Sequence, residues 1–384
     1  MPSRIPLSLP DVGAEEKNAV MEVMSGTWFA HGPKNHEFEE NFARYIGVRH
    51  ALTMNSCTSA LQLAVQGLGI DGEVIIPSFT WVATANAVIC AGAHPVFADI
   101  DPQTFCMDPE SAASLIGPRT QALMPVHYAG LSADMNQYRQ LADRFGLALI
   151  EDSAEAIGSL YHGQKTGSFG HGCFSFFPTK NMTVGEGGML TTNDDDLARR
   201  ARALLGHGVD QTTYQREKQI NPWFRSASTI GYNFRLSNIL AAIGVEQLKK
   251  LDDMNQRRRT IAAHYRQRLA EVDGVTIQAE PAECTHVYQM FVIRIADDRN
   301  RDEVVRELNR RGIGASVHFS PSVHQMTPYE KTTALQILLP VTEAVADSCI
   351  TLPMYPTLSI DDADRVCDEL TSVLSQQPAT ALGR

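Results

Sequence analysis

Along the first two-thirds of the chain, hydrophobic residues fall into short, nearly unbroken runs separated by stretches with helical spacing. Residues 74–77, 95–99, 122–126 and 147–152 are such runs. Each is apolar on both faces, as strands of a covered parallel sheet are. Residues 81–91 and 133–145 carry helical patterns between them. Strand–helix alternation with short connections predicts right-handed crossovers and an α/β layer structure. Two further runs, 173–177 and 188–192, flank a polar, Gly-rich segment that holds Lys180, and read as strand, exposed loop, strand. Beyond about residue 236 the pattern changes. Residues 239–272 read as one or two long amphipathic helices, with Leu248, Leu251, Met254 and Ile261 at helical spacing. Then 289–294 reads as a strand, 302–310 as a helix, 315–319 as extended and 361–374 as a helix. The expected architecture is a large α/β domain over residues 1–245, with a mostly parallel sheet, and a smaller α+β domain over residues 246–384. The end of the chain, 376–384, has little apolar content and is expected to fray.

Composition narrows the class. A chain of 384 residues is too long for one ordinary core, in keeping with two domains. Hydrophobic residues at 43% and charged residues at 20% describe a soluble globular protein. The formal net charge of -11 offers no basic footprint for nucleic acid or an anionic membrane surface. No apolar run reaches transmembrane length, and the N-terminus lacks the apolar core of a signal peptide. The seven cysteines are odd in number, scattered and without a CxxC, so neither a disulfide framework nor a zinc site is expected. A reduced, cytoplasmic protein without a metal fits these features.

Three places carry candidate chemistry. Asp152 ends the run Leu147-Ala148-Leu149-Ile150-Glu151-Asp152, and ligands of open α/β sheets bind beyond the C-terminal ends of strands. Helix capping ahead of Ser153-Ala154-Glu155 is the competing reading. Lys180 follows Phe174-Ser175-Phe176-Phe177-Pro178-Thr179, an apolar surround that can desolvate an amine and suit it to Schiff-base chemistry. Alone it reads as a loop lysine. Paired with a strand-end aspartate it supplies the two anchors of a pyridoxal cofactor, an imine and a carboxylate for the ring nitrogen. The third place is Asn55-Ser56-Cys57-Thr58-Ser59, where small hydroxyl residues open a helix whose free N–H groups can bind phosphate. Gly185-Glu186-Gly187-Gly188 lacks the spacing of a dinucleotide fingerprint, which disfavours a nicotinamide-dependent reductase.

From about residue 5 to residue 375 the sequence resembles the DegT/DnrJ/EryC1/StrS family of sugar aminotransferases, which have the fold of type I pyridoxal-phosphate enzymes. The resemblance rests on blocks met in order: Gly32-Pro33-Lys34, Pro77-Ser78-Phe79-Thr80-Trp81, Asp99-Ile100-Asp101-Pro102, Glu151 to Glu155, Phe174 to Asn181, Gly185 to Gly188, His207-Gly208 and Gly231-Tyr232-Asn233-Phe234-Arg235. It implies that Lys180 carries pyridoxal 5'-phosphate as a Schiff base and later shuttles protons as a base. It implies Asp152 at the ring nitrogen, Trp81 stacked on the ring, and Thr58, Ser59 and Ser175 at the phosphate. Asn233 resembles a residue delivered to that phosphate by a neighbouring subunit, so the expected unit is a two-fold homodimer with shared active sites.

Departures from the family pattern are local. Cys57 stands where glycine is usual, Ile157 where histidine is common, and Glu155 where glutamine is common, near the cofactor's phenolic oxygen. An acid at that place has to be protonated or solvated. Lysine at position 180, where related dehydratases carry histidine, favours amino transfer. His318 and His324 lie in a stretch resembling one that lines the sugar pocket, and Trp28, Phe29, His31, His127 and Trp223 are further candidates. The expected substrates are an amino donor, glutamate by resemblance, and a nucleotide-linked keto-sugar, in a ping-pong reaction. A cyclitol ketone or other non-nucleotide acceptor is the alternative. A non-catalytic regulator is a third reading, disfavoured because the lysine and its aspartate are both present.

Overall fold

The computed structural model describes residues 4–209, 214, 223, 226–296, 299–330 and 337–376. Seven strands form the main sheet: β1 (His50–Met54), β2 (Glu73–Pro77), β3 (His94–Ala98), β4 (Thr120–Leu123), β5 (Ala148–Asp152), β6 (His171–Ser175) and β7 (Gly188–Thr192). Their spatial order is β1-β7-β6-β5-β4-β2-β3. Pairing is parallel from β3 through β2, β4 and β5 to β6. β7 alone reverses, lying antiparallel between β1 and β6. The reason is the connection. β6 and β7 are joined by residues 176–187 with no helix between them, so the chain folds back beside its own strand without crossing over the sheet. The apolar runs read as strands match β2 to β7 in place and type, with ends shifted by a few residues.

Helix Cys57–Gly67 is apolar nearly all round and buried for most of its length. Its Ala60, Leu61, Leu63, Ala64 and Val65 share a core with Val74, Ile76, Val88, Ile150 and Leu204. Such a helix is held by its burial on several sides, between the sheet and the helices Val82–Cys90 and Asp195–Leu205. That burial fixes its first turn, where the site is built.

The stretch expected as one or two long helices is a single one, Asn238–Leu269. The domain boundary expected at 245/246 falls inside it. Its Ala241, Val245, Leu251 and Met254 pack with Phe38, Phe42 and Phe176, whereas Ile261, Ala262, Tyr265 and Leu269 pack with Phe291, Ile350 and Val366. Core membership thus changes between Met254 and Ile261. The N-terminal strap also crosses over, since Ile5 belongs to the second core and bridges Ile313. The smaller layer is an antiparallel sheet of Val275–Ile277, Phe291–Ile295 and Cys349–Leu352, with helices Arg301–Arg310 and Ile360–Gln376 beside it. The stretch 315–319, expected to be extended, forms one bridge, from Ser316 to Thr351, and no strand of its own.

Candidate active site

The C-terminal ends of β5 and β6, the first turn of helix Cys57–Gly67 and the loop carrying Lys180 surround one cavity of about 500 Å³. Asp152 is the last residue of β5 and is 4% exposed. Its Oδ2 accepts from the Thr84 hydroxyl at 2.8 Å and its Oδ1 from the Ala154 N–H at 3.2 Å. Thr84 is itself bonded to Thr80 at 2.8 Å, which orients its hydroxyl. Burial pushes the Asp152 carboxyl above the usual range, against the pull of these two donors. Among the described residues no cation bonds to it. A buried carboxylate held short of a cation is stabilised by any cationic N–H that enters the cavity.

Lys180 projects into the same space from the 176–187 loop. Its backbone N–H donates to the Phe177 carbonyl at 2.9 Å, a turn that sets the side chain's direction. The ammonium donates to Glu155 Oε1 at 3.2 Å. The other Glu155 oxygen accepts from the Ala129 N–H at 2.8 Å. Glu155 is 6% exposed, so the acid is paired and bonded, and solvent does little for it. The Gln289 amide donates to the Thr179 carbonyl at 3.0 Å and braces the backbone next to the lysine.

Ser56 caps helix Cys57–Gly67, its hydroxyl accepting from the Ser59 N–H at 3.1 Å. The Ser59 hydroxyl donates to Asn55 at 2.7 Å. Ser59 therefore serves the turn internally and does not line the cavity, whereas Ser56, Cys57 and Thr58 do. The cavity meets the end of the helix where N–H groups lack intrahelical partners. Gly188 lies directly beneath. A Cβ there would sit 2.3 Å from the Ser56 carbonyl carbon and 2.5 Å from the Cys57 nitrogen, so only glycine lets β7 approach the turn. Burial raises the Cys57 thiol well above its ordinary value, which leaves it a neutral packing group.

Trp81, Ser175 and His318 also line the cavity. Trp81 is 58% exposed and packs tilted against Phe319 with ring centroids 5.9 Å apart. His318 bonds through Nδ1 to the Thr351 hydroxyl at 2.9 Å, and burial pushes its imidazole down, towards the neutral form. Other expected residues are placed elsewhere. His324 is buried between Ser78, 2.6 Å from Nδ1, and Glu343, 3.2 Å from Nε2, and ties two segments together away from the cavity. Asn233 is exposed, and its amide oxygen accepts from Arg235 at 3.0 and 2.9 Å. His127 is fully buried against Glu151 at 3.0 Å, and His31 sits in a buried cluster with Glu39. Trp28 donates to the His31 carbonyl, and Phe29 and Trp223 are exposed; none of the five lines the cavity. Cavity residues that the sequence did not single out are Leu7, Ser8, Thr84, Glu186, Gln289, Met290 and Thr351. Thr84 left a signal, standing three residues after Trp81 on the face that follows a strand end, and Glu186 lay within the Gly185 to Gly188 block without a role. Among the described residues no group of His, Cys, Asp and Glu side chains is gathered as a metal site would be. No helix among them is long and apolar enough to cross a membrane.

A lysine and a buried strand-end carboxylate without a bonded cation, sharing one cavity at the strand ends of such a sheet, point to an aminotransferase with the fold of type I pyridoxal-phosphate enzymes. Known proteins bear this out. The profile of the DegT/DnrJ/EryC1/StrS aminotransferase family matches residues 10–371, and the chain belongs to that family, whose members depend on pyridoxal phosphate. Among solved structures it is similar to S. venezuelae DesV in complex with a ketimine intermediate, at 36% identity over 96% of this chain and 98% of that one, with a TM-score of 0.88. Helicobacter pylori PseC, an aminotransferase involved in the biosynthesis of pseudoaminic acid, is 28% identical over 97% of this chain and 100% of that one, with a TM-score of 0.91. DesI, solved in the presence of its TDP-sugar product, is 32% identical over 98% of this chain and 94% of that one, with a TM-score of 0.88. The residues present fit the family's cofactor. They offer an amine for its aldehyde, an uncompensated carboxylate for its ring nitrogen and an open helix end for its phosphate.

Proposed function

We propose that the chain moves an amino group from an amino acid, glutamate in the first instance, to a nucleotide-linked keto-sugar in two half-reactions at this one cavity. The observation that carries the reading is that Lys180 and Asp152 open into the same buried space from opposite structural supports, a loop and a strand end. Pyridoxal phosphate, when bound, supplies an aldehyde that receives the amino group and a ring that stores the electrons freed at the substrate carbon. The residues divide the remaining work. Lys180 Nζ binds the aldehyde and, once displaced, is the base and acid that moves the proton at the substrate carbon. Asp152 would keep a proton on the ring nitrogen, because burial makes its charge costly beyond what Thr84 and Ala154 offset and a cationic N–H would relieve it. The first turn of Cys57–Gly67, with Thr58 and Ser175, holds the phosphate. Trp81 offers a flat apolar face, and with Phe177 and Met290 keeps water off the reacting atoms. His318, neutral at pH 7, is placed to exchange a hydrogen bond with a sugar hydroxyl.

Two considerations support the acceptor and the assembly. DesI is named for a TDP-sugar product, and the family is one of sugar aminotransferases. Asn233 does not reach the cavity of its own chain, which suits a role at the phosphate of a two-fold partner.

The test has two stages. Borohydride treatment of the yellow protein should fix the cofactor to the peptide containing Lys180, and Lys180→Ala should take no label. A panel of nucleotide-linked keto-sugars, read by 2-oxoglutarate release from glutamate, should then contain an acceptor. Labelling elsewhere sinks the cofactor assignment. Amination of a cyclitol ketone and of no keto-sugar sinks the acceptor assignment.

A further inference from the structure

Glu155 is the residue whose chemistry the reading above leaves unused. It is an acid at a place where the family commonly has an amide. It is nearly buried, and both of its oxygens are engaged, one by the Ala129 N–H at 2.8 Å and one by the Lys180 ammonium at 3.2 Å. Ala129 is fixed in the left-handed region at φ 58°, so its N–H is aimed and does not follow the carboxylate if it moves. The carboxylate's charge lies beside the lysine nitrogen.

We infer that Glu155, bonded to the Lys180 nitrogen, holds a proton on that nitrogen after it has joined the cofactor aldehyde. The inference rests on the proposed cofactor. The balance of the joining step shows why the charge matters. The ammonium nitrogen carries three protons; two leave with the aldehyde oxygen as water, a C=N bond forms, and one proton stays on nitrogen. Beside an ionised Glu155 the nitrogen is therefore positive before and after, and nothing is released to solvent. With a neutral amide in place of Glu155, only the cofactor's own phenolic oxygen is left to retain the last proton, which is then released at a lower pH. A protonated C=N carbon is the one an incoming amine attacks, so the residue tunes how readily substrate displaces Lys180.

Other groups face the pair and do not replace it. Asp152 interacts with both Glu155 and Lys180, but its carboxylate is engaged by Thr84 and Ala154. His318 faces both and is held towards neutrality by burial. Tyr128, Cys106 and Cys57 feel the Glu155 charge, and burial raises all three, so they stay uncharged near pH 7. Glu186 lines the cavity but is exposed and screened by solvent.

The experiment is a pH titration of the visible absorption band of the reconstituted holoenzyme, for wild type, Glu155→Gln and Glu155→Asp. It is accompanied by the count of protons released on loading, from calorimetry in two buffers of different ionisation heat. Glu155→Gln keeps an oxygen for the Ala129 N–H and turns the atom facing Lys180 into a neutral donor, so the charge and the acceptor at the lysine are lost together. A unit charge at this separation, even screened as in water, shifts the midpoint by about one pH unit, a tenfold change. The midpoint in Glu155→Gln should fall by at least that much, with extra proton release at neutral to mildly alkaline pH, and Glu155→Asp should lie closer to wild type. Glu155→Gln and wild type titrating together, with equal proton counts, overturns the inference while leaving the cofactor in place. Absence of any visible band in wild type overturns the cofactor reading itself.

Discussion

Replacing Glu39 with glutamine removes a buried charge whose contribution to stability has a defined pH dependence. Glu39 lies on helix Pro33–Ile46 and is 5% exposed. Its Oε1 accepts from the Thr53 N–H and hydroxyl, each at 2.8 Å, and its Oε2 from Arg202 at 2.9 Å; His31 lies 3.5 Å away. It thereby ties the helix to β1 and to helix Asp195–Leu205. Burial alone would raise the carboxyl, but Arg202 and then His31 overcome it and hold it at about 2, against an ordinary 4.5. That depression corresponds to roughly 3 kcal/mol of stability. Because the folded state binds the proton more weakly than the unfolded state, the contribution is complete above pH 4.5. It fades as the pH falls towards 2 and is absent below. Glu39→Gln should therefore lower stability by about 2–4 kcal/mol at pH 7, since it also leaves Arg202 without its buried counter-ion. More than half of that gap should close by about pH 3. Urea midpoints followed by circular dichroism on cofactor-free protein, at intervals from pH 7 to pH 3, measure the gap without ligand linkage. A gap that is the same at every pH, or missing at pH 7, refutes the assignment of an ionised, paired carboxylate.

Three further outcomes test how the cavity is held together. Thr84→Val removes the hydroxyl that Asp152 Oδ2 accepts from and should raise that carboxyl further, moving the acid limb of cofactor binding up by about one pH unit; an unmoved limb in a spectrophotometric binding titration would count against it. Gly188→Ala forces a methyl into the backbone of Ser56 and Cys57 and should weaken cofactor binding at least about tenfold without removing any polar atom, as measured by the same titration. His324→Leu removes the imidazole from between Ser78 and Glu343, leaving each with a backbone N–H as partner, and should cost about 1–3 kcal/mol in a melt, with the KM for the sugar little changed. His318→Leu should do the reverse; similar effects of the two substitutions on KM would contradict their placement.

Much of this arrangement was legible in the chain, and what was not follows from a few physical causes. Runs such as 74–77 and 147–152 are apolar on both faces because the sheet is covered on both, and that pattern placed six of its strands. The reversal of β7 left no mark in its own residues, because direction depends on how the connection closes. The boundary expected at 245/246 lies within one helix, since a helix has one periodicity whichever core it faces, and Asn238–Leu269 faces two in turn. The small hydroxyl residues at 55–59 pointed to a phosphate-binding helix start, and the family resemblance to Thr58 and Ser59 within it, but one residue of rotation in a helix start decides which hydroxyl caps and which faces outward. The same limit separates His318 from His324, six positions apart in an irregular segment with no period to say which side each faces. Glu155 is the instructive case. From the sequence it was an acid in an amide's place that needed a proton or water. The structure supplies neither as its main partner. It supplies the ammonium of Lys180 and one aimed N–H, which turns an apparent misfit into a fixed charge beside the nitrogen proposed to carry the chemistry.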